Sequence, residues 1–259
     1  MFNLNEGLLK FITENVITAE WQYYAFYIGF VLFTVVAAYL LGSLNSAIIV
    51  SKLLYGEDIR TFGSGNAGLT NMLRTYGKKG AALTLVGDML KTALAIFIAG
   101  TLLGFNYMAG MSYNDGYCYM AALFAVLGHV FPIYYQFKGG KGVLVTATAA
   151  LILTPLAFGI LLLVFIAIVY VSRYVSLGSV SVALLYPVVV TAIIKLNFTA
   201  IPGILSLSII IIAVLVVWCH RQNLQRISDR TERKISIGSR KGGKKDKDAD
   251  EDEGAEEDE

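Results

Sequence analysis

The chain has 259 residues, of which 56% are hydrophobic and 15% charged, with four prolines and a mean hydropathy of +0.63. That balance excludes an ordinary soluble domain and points to an integral membrane protein. The net charge of +2 conceals a segregation: residues 1–240 carry 17 Lys/Arg against 9 Asp/Glu, and residues 241–259 carry 4 against 10.

The first twenty residues hold Glu6, Glu14 and Glu20 with one lysine, the wrong charge for a signal peptide. Leu4, Leu8, Leu9, Phe11, Ile12 and Val16 instead predict a short amphipathic helix on the membrane surface, a separate segment over 1–20. From Trp21 to Leu41 there is no charge, enough for a first crossing that could continue to Leu54. Residues 56–80, GEDIRTFGSGNAGLTNMLRTYGKKG, then form a polar, basic, glycine-rich loop. Its Gly63, Gly65 and Gly68 match the G-x-G-x-x-G spacing of dinucleotide sites, but no preceding strand or βαβ unit accompanies them.

Further apolar segments follow at roughly 80–103, 117–136, 142–154, 156–171, 175–195 and 201–219, with Thr154-Pro155 splitting one long run into two helices. The expected fold is thus an all-α integral membrane protein of about seven transmembrane helices, its membrane body spanning 21–235. A five-segment variant arises if 142–171 does not cross as a pair. Placing the N-terminus outside and the C-terminus in the cytoplasm puts 18 of the 21 Lys/Arg on the cytoplasmic side, leaving Lys10 and Lys195 outside and Lys91 in a helix. All the basic or glycine-rich connections, 56–80, 137–142, 172–179 and 219–235, then emerge on the cytoplasmic face, and a site is expected there. The low-complexity tail 236–259 is expected to be disordered and solvated.

The first loop reads as an anion cradle. Gly63, Gly65 and Gly68 let backbone amides approach phosphate oxygens, Ser64, Asn66, Thr70 and Asn71 add neutral polar groups, and Arg60 and Arg74 bring forked cations. The second, Phe137-Lys138-Gly139-Gly140-Lys141-Gly142, sets two lysines and three glycines at a helix start, where the dipole also favours an anion, although no Walker A pattern fits it. Third comes His220 with Asn223, three residues apart on a helix expected to continue from Trp218, followed by Arg226, Thr231 and Glu232. Ser176 and Ser179 lie in a fourth short connection. Asp88 and Lys91 are spaced to pair within a span, as a structural pair or a wall of the site, and His129 reads as a helix-end hydrogen-bonding group. The cysteines, Cys118 and Cys219, lie at the edges of apolar runs without metal spacing and read as reduced packing residues.

DIRTFGSGNAGLTNMLRTYGKKG with Asp88 and Lys91, then GHVFPIYYQFKGGKG, SRYVSLGS, and HRQNLQR with TERKI together resemble the bacterial acyl-phosphate-dependent glycerol-3-phosphate acyltransferases, the PlsY family, in the family's order from about residue 40 to 235. The resemblance implies a multi-pass inner-membrane enzyme that moves a fatty acyl group from acyl phosphate to the 1-hydroxyl of glycerol 3-phosphate, giving lysophosphatidic acid and phosphate in phospholipid synthesis. It associates the motif at Lys138, Gly139, Gly140 and Lys141 with glycerol 3-phosphate, and the other two with Ser43 and Arg60 to Arg74, and with His220 to Glu232. Acyl phosphate, glycerol 3-phosphate and membrane lipid are the implied partners, with no nucleic acid, no cofactor and no metal; a monomer is the expected unit. Many members carry proline where Asn45 and Ala67 stand, and glycine where Arg230 stands.

Neither H-x-x-x-x-D nor G-x-S-x-G occurs, so motifs that other acyl-transfer schemes would need are missing. The expectation is direct attack, with Ser64, Arg74, Lys141, His220 and Asn223 as the catalytic group and Ser43, Lys91 and the loop residues binding substrate. Two phosphate-bearing reactants need several cations, and an acyl phosphate already has a good leaving group, so positioning carries most of the work. The alternative is a transporter of a phosphorylated or anionic solute, which would spread polar residues through the membrane depth. A scaffold that merely binds anionic headgroups is the third reading.

Overall fold

The structure, a computed structural model, describes residues 6–104, 115–197, 201 and 203–235. Among the described residues it is all helical: α1 (Gly7–Asn15), α2 (Glu20–Ser43), α3 (Ser46–Tyr55), α4 (Leu69–Leu103), α5 (Asp115–Val130), α6 (Val143–Leu153), α7 (Pro155–Ser172), α8 (Val175–Asn197), α9 (Gly203–Cys219) and α10 (Arg221–Ser228). Short 3₁₀ turns occupy Ile59–Thr61 and Ile133–Tyr135. The expected disordered tail and most of the two external connections lie outside the described residues.

Local chemistry explains where the helices break. Asn45 interrupts the continuation of α2 towards Leu54: its side chain accepts a hydrogen bond from Ile48 N at 3.1 Å and so caps α3. Thr154 precedes Pro155 at the first turn of α7, where the missing amide hydrogen costs nothing. The polar stretch 56–80 is not one loop. Its second half belongs to α4, which begins at Leu69 and is kinked at Gly77, whose φ of 72° an L-residue rarely adopts.

Five helical stretches are long and apolar enough to cross a bilayer: Glu20–Tyr55 across the α2–α3 break, Leu69–Leu103, Gly116–Tyr135, Pro155–Ser172 and Val175–Leu196. The pair α9 and α10, bent by 47°, makes a sixth. Against the seven expected segments, α6 falls short. Its 11 residues rise roughly 16 Å, about half the hydrocarbon thickness.

Packing is tightest where glycines let backbones meet. A Cβ at Gly42 in α2 would overlap the Ala125 carbonyl of α5, and one at Gly128 would overlap the Tyr39 carbonyl of α2. Such small-residue contacts hold membrane helices together where apolar burial against lipid gives little driving force. Around this seam a core forms from Tyr119, Val126, Val145, Tyr186, Ile209 and Ile212, among others. Large apolar side chains such as Leu163, Val171 and Val188 face outward, as a surface solvated by lipid requires. Besides its amphipathic face, α1 has a protein contact: Leu9 is buried in a cluster with Leu103, Tyr117 and Met120.

The connectivity collects the polar segments at one end of the bundle. Hydrogen bonds join the start of α8 to the segment after α10 (Ser176 to Glu232), and the segment before α6 to α10 (Lys141 to Asn223). Others join the end of α5 to the loop before α6, as Gly140 N to His129 O at 3.0 Å. Consequently α6 enters from that end and α7 returns to it.

Candidate active site

At this polar end a cavity of about 570 Å³ opens between α4, α6, α7, α8, α9 and α10. Its mouth is lined by Ser64, Asn66, Thr70, Arg74, Lys141, His220, Asn223, Arg226, Glu232 and Arg233, its depth by apolar side chains of α6 to α9. All five residues expected to be catalytic therefore meet around one space, although 159 positions separate the first from the last.

Asn71 builds the first wall. Only 2% exposed, it accepts a hydrogen bond from Ser64 N at 3.1 Å and donates to the carbonyls of Ile59 and Phe62 at 3.2 and 3.0 Å. One carboxamide thus closes the loop back on the start of α4, and Gly63, with φ of 60°, makes the turn in a space where a Cβ would strike that carboxamide. The expected amide cradle is mostly absent: the N–H groups of Ser64, Gly65 and Gly68 are bound to Asn71 Oδ1, Phe62 O and Asn66 O. The groups free to meet an anion here are side chains, chiefly Arg74, Ser64 and Thr70, which line the cavity. No ion-pair partner for Arg74 exists among the described residues.

The second wall is a relay. Lys141 Nζ donates to Asn223 Oδ1; Asn223 Nδ2 donates to Glu232 Oε1 at 2.7 Å, as does Ser176 Oγ, and Arg226 Nε reaches Glu232 Oε2 at 2.8 Å. Burial pushes the Glu232 carboxyl upward, but the hydrogen bonds from Asn223, Arg226 and Ser176 outweigh it and hold the group below its ordinary value. Burial, with Arg226 adding to it, lowers the Lys141 ammonium. A cation held in this way is aimed into the cavity with part of its charge left unneutralised.

The α9 helix does not continue through His220 as expected. It bends there, and His220 stands at the start of α10 with its Nδ1 2.7 Å from Val216 O. That contact requires a proton on Nδ1 and leaves Nε2 as an acceptor. Burial takes the imidazole down to about 4, so the ring is neutral at physiological pH.

Several expected binding residues do not line the cavity. Ser43 is fully buried, donating to Tyr39 O at 2.8 Å. Arg60 is committed to Asp58, which it holds down to about 2, and to the carbonyls of Tyr135 and Lys138, so it clamps the two loops together. Gly65 serves the turn, and the exposed Lys138 offers its carbonyl to Arg60. Gly139 and Gly140 give their amides to the carbonyls of Val130 and His129, and a Cβ at Gly140 would overlap the His129 ring. Lys91 Nζ is held by Asp88 at 2.8 Å, Leu44 O at 2.9 Å and His129 Nδ1 at 3.0 Å. Of this buried cluster Asp88 and His129 line the cavity and Lys91 does not. Gly63, Gly68, Asn66, Thr70, Asn71, Ser176 and Ser179 do line it.

Sequence reasoning missed the apolar interior, which Phe158, Leu161, Val182, Ile212 and Val216 help to form. Hydrophobic runs carry no mark to show which face borders a cavity and which borders lipid. A polar, cationic mouth thus opens into an apolar chamber.

The sequence model of the family described as glycerol-3-phosphate acyltransferase matches residues 32–230. The chain belongs to that family. Curated glycerol-3-phosphate acyltransferases from Syntrophomonas wolfei (42% identical over 201 residues) and Bacillus subtilis (37% over 201) each match 78% of this chain and 95% of their own length. A Coxiella burnetii acyltransferase is 39% identical over 209 residues, covering 79% of this chain and 97% of its own. Among solved structures, PlsY (YgiH), an integral membrane glycerol 3-phosphate acyltransferase in its glycerol 3-phosphate form, is 31% identical with a TM-score of 0.69, covering 80% of this chain and 96% of that one. The same protein's lysophosphatidic acid form gives 0.67 at 30% identity, over 80% and 95%. Every residue of the acyltransferase cavity mouth except Thr231 to Arg233 falls inside the family match.

Proposed function

We propose that this membrane protein is an acyl-phosphate-dependent glycerol-3-phosphate 1-O-acyltransferase, giving lysophosphatidic acid and phosphate for phospholipid synthesis. The observation that carries this is the two-part cavity, cationic at the mouth and apolar within. Arg74 with Ser64 and Thr70 offers a phosphate site at the start of α4, and Lys141 with Asn223 offers one across the mouth. Lys141, Ser64, Arg74, His220 and Asn223 form the catalytic group; Asn66, Asn71, Ser176, Ser179, Gly63 and Gly68 shape it.

In this scheme the glycerol hydroxyl oxygen attacks the acyl carbonyl carbon, the C–O bond to phosphate breaks, and the phosphate leaves with the bonding pair. Two anions held close together need the cations to offset their repulsion, and a bound near-attack geometry supplies most of the acceleration. His220 Nε2 accepts the hydroxyl's hydrogen bond and orients it. A ring of pKa about 4 is a weak base, whereas a phosphate oxygen has its second pKa near about 6, so substrate phosphate takes the proton.

The charge distribution supports a plasma-membrane protein with its C-terminus and cavity mouth cytoplasmic and its N-terminus outside, built as an anchor segment over 1–20, a catalytic body over 21–235 and an acidic tail. Within it α6 and α7 act as a hairpin that re-enters the cytoplasmic face, and the chain works as a monomer. Proteoliposomes given acyl phosphate and labelled glycerol 3-phosphate test the scheme against transport. Label passing into the lipid fraction supports acyl transfer; label accumulating unchanged in the lumen would favour a transporter.

A further inference from the structure

The apolar part of the cavity has a definite deep end. Along α8 the lining residues run Val175, Ser176, Ser179, Val182, Ala183, Tyr186, from polar to apolar, and stop at Tyr186. On α6 the last is Ala150 and on α7 it is Phe158, standing four residues before and after Thr154. At Thr154 the α6–α7 corner is tied to Tyr119 by a hydrogen bond between hydroxyls. The chamber therefore closes one helical turn short of that corner. Tyr186, Ala150 and Ile212 are each no more than 2% exposed.

Tyr186 has a second unusual property. Its hydroxyl is fully buried and has no hydrogen-bond partner among the described residues, an unfavourable arrangement that phenylalanine would avoid. Ten residues of α8 separate it from Ser176 at the mouth, roughly 15 Å of rise. Tyr186 thus lies at the far end of the lining from Lys141.

We propose that Tyr186 is the specificity-determining residue for acyl-chain length: its side chain closes the deep end of the chamber. This rests on the acyltransferase assignment. A chain that stops short of the ring buries all its methylenes; a longer one must press against a filled floor. The residue is far from the phosphate-binding side chains, so it selects the donor and leaves the acceptor alone.

The test is competition among saturated acyl phosphates from decanoyl to octadecanoyl, with lysophosphatidic acid species measured by mass spectrometry and glycerol 3-phosphate KM followed in parallel. Wild type is expected to show a length limit beyond which kcat/KM falls at least about tenfold, as pockets discriminate added methylenes. Tyr186→Ala moves that limit to longer chains, and Ala150→Leu, filling the same end from α6, moves it to shorter ones; neither changes glycerol 3-phosphate KM. Tyr186→Phe keeps the limit and raises the thermal midpoint. An unchanged length profile in folded Tyr186→Ala, or in Ala150→Leu if the former does not fold, would overturn the proposal. A wild-type protein that makes lysophosphatidic acid from no chain length would instead overturn the acyltransferase assignment beneath it.

Discussion

Asn71 and His220 show how single side chains decide what the site can do. Asn71→Ala removes three hydrogen bonds from a buried carboxamide and leaves two carbonyls and an amide unpaired. The expected loss is on the order of 1–3 kcal/mol of stability in a detergent melt, with a raised glycerol 3-phosphate KM as Ser64 loosens. A melt unchanged to within a degree would show that the loop does not depend on it. For His220 the sign is set by burial: the folded value of about 4 lies below the ordinary 6.5, so protonation is disfavoured and the ring stays neutral as pH falls through the usual histidine range. The chain has two histidines, which makes the ring resonances assignable with a His220→Asn control. Nitrogen NMR is expected to show an Nδ1-protonated neutral ring throughout about pH 5 to 8; a titration near 6.5 would contradict this and restore His220 as the base. These residue types were legible in the sequence, but their division of labour was not. Arg60 and Lys138 look like phosphate ligands in a string of letters, and only the fold shows Arg60 spent on Asp58 and two carbonyls. Arg230 carries the opposite lesson: the family resemblance leads one to expect glycine there, and its φ of 59° is a conformation that suits glycine.

At the scale of elements, hydropathy placed the long helices α2, α4, α5, α7, α8 and α9 well, because a bilayer's thickness imposes a length that a run of apolar residues displays. It failed at ends and short pieces. The start of α4 was hidden by the polarity of Leu69 to Gly80, which a helix tolerates when its first turns stand outside hydrocarbon. The apolar sequence of α6 suggested a crossing, whereas the helix between Gly142 and Thr154 has 11 residues, short for the bilayer thickness. Helix pairing was also invisible, since nothing in the sequence says which glycines touch. The structure makes Gly128 in α5 critical: Gly128→Leu must push α2 aside, with an expected loss of at least about 1–3 kcal/mol. Unfolding by denaturing detergent, followed by tryptophan fluorescence from Trp21 and Trp218, measures it. Gly29→Leu, a position where an added Cβ meets nothing within 4 Å, is the matched control and should be neutral.

For the whole molecule, the fold turns four polar segments spread over 180 residues into one mouth, at the end where α4, α6 and α8 begin and α5, α7 and α9 finish. The clustering of cations on one face was readable from charge alone; the hydrocarbon chamber below them was not, because lipid-facing and cavity-facing leucines are written alike. In the proposed scheme, joining the two parts makes the site one for acyl transfer and not merely for an anion. The most direct test gives purified protein in lipid labelled glycerol 3-phosphate with either acyl phosphate or acyl-CoA, and compares wild type with Lys141→Ala. Lysophosphatidic acid formed from acyl phosphate, not from acyl-CoA, and reduced at least about a hundredfold in Lys141→Ala, is the predicted result. No product from acyl phosphate, or undiminished product without Lys141, would contradict it.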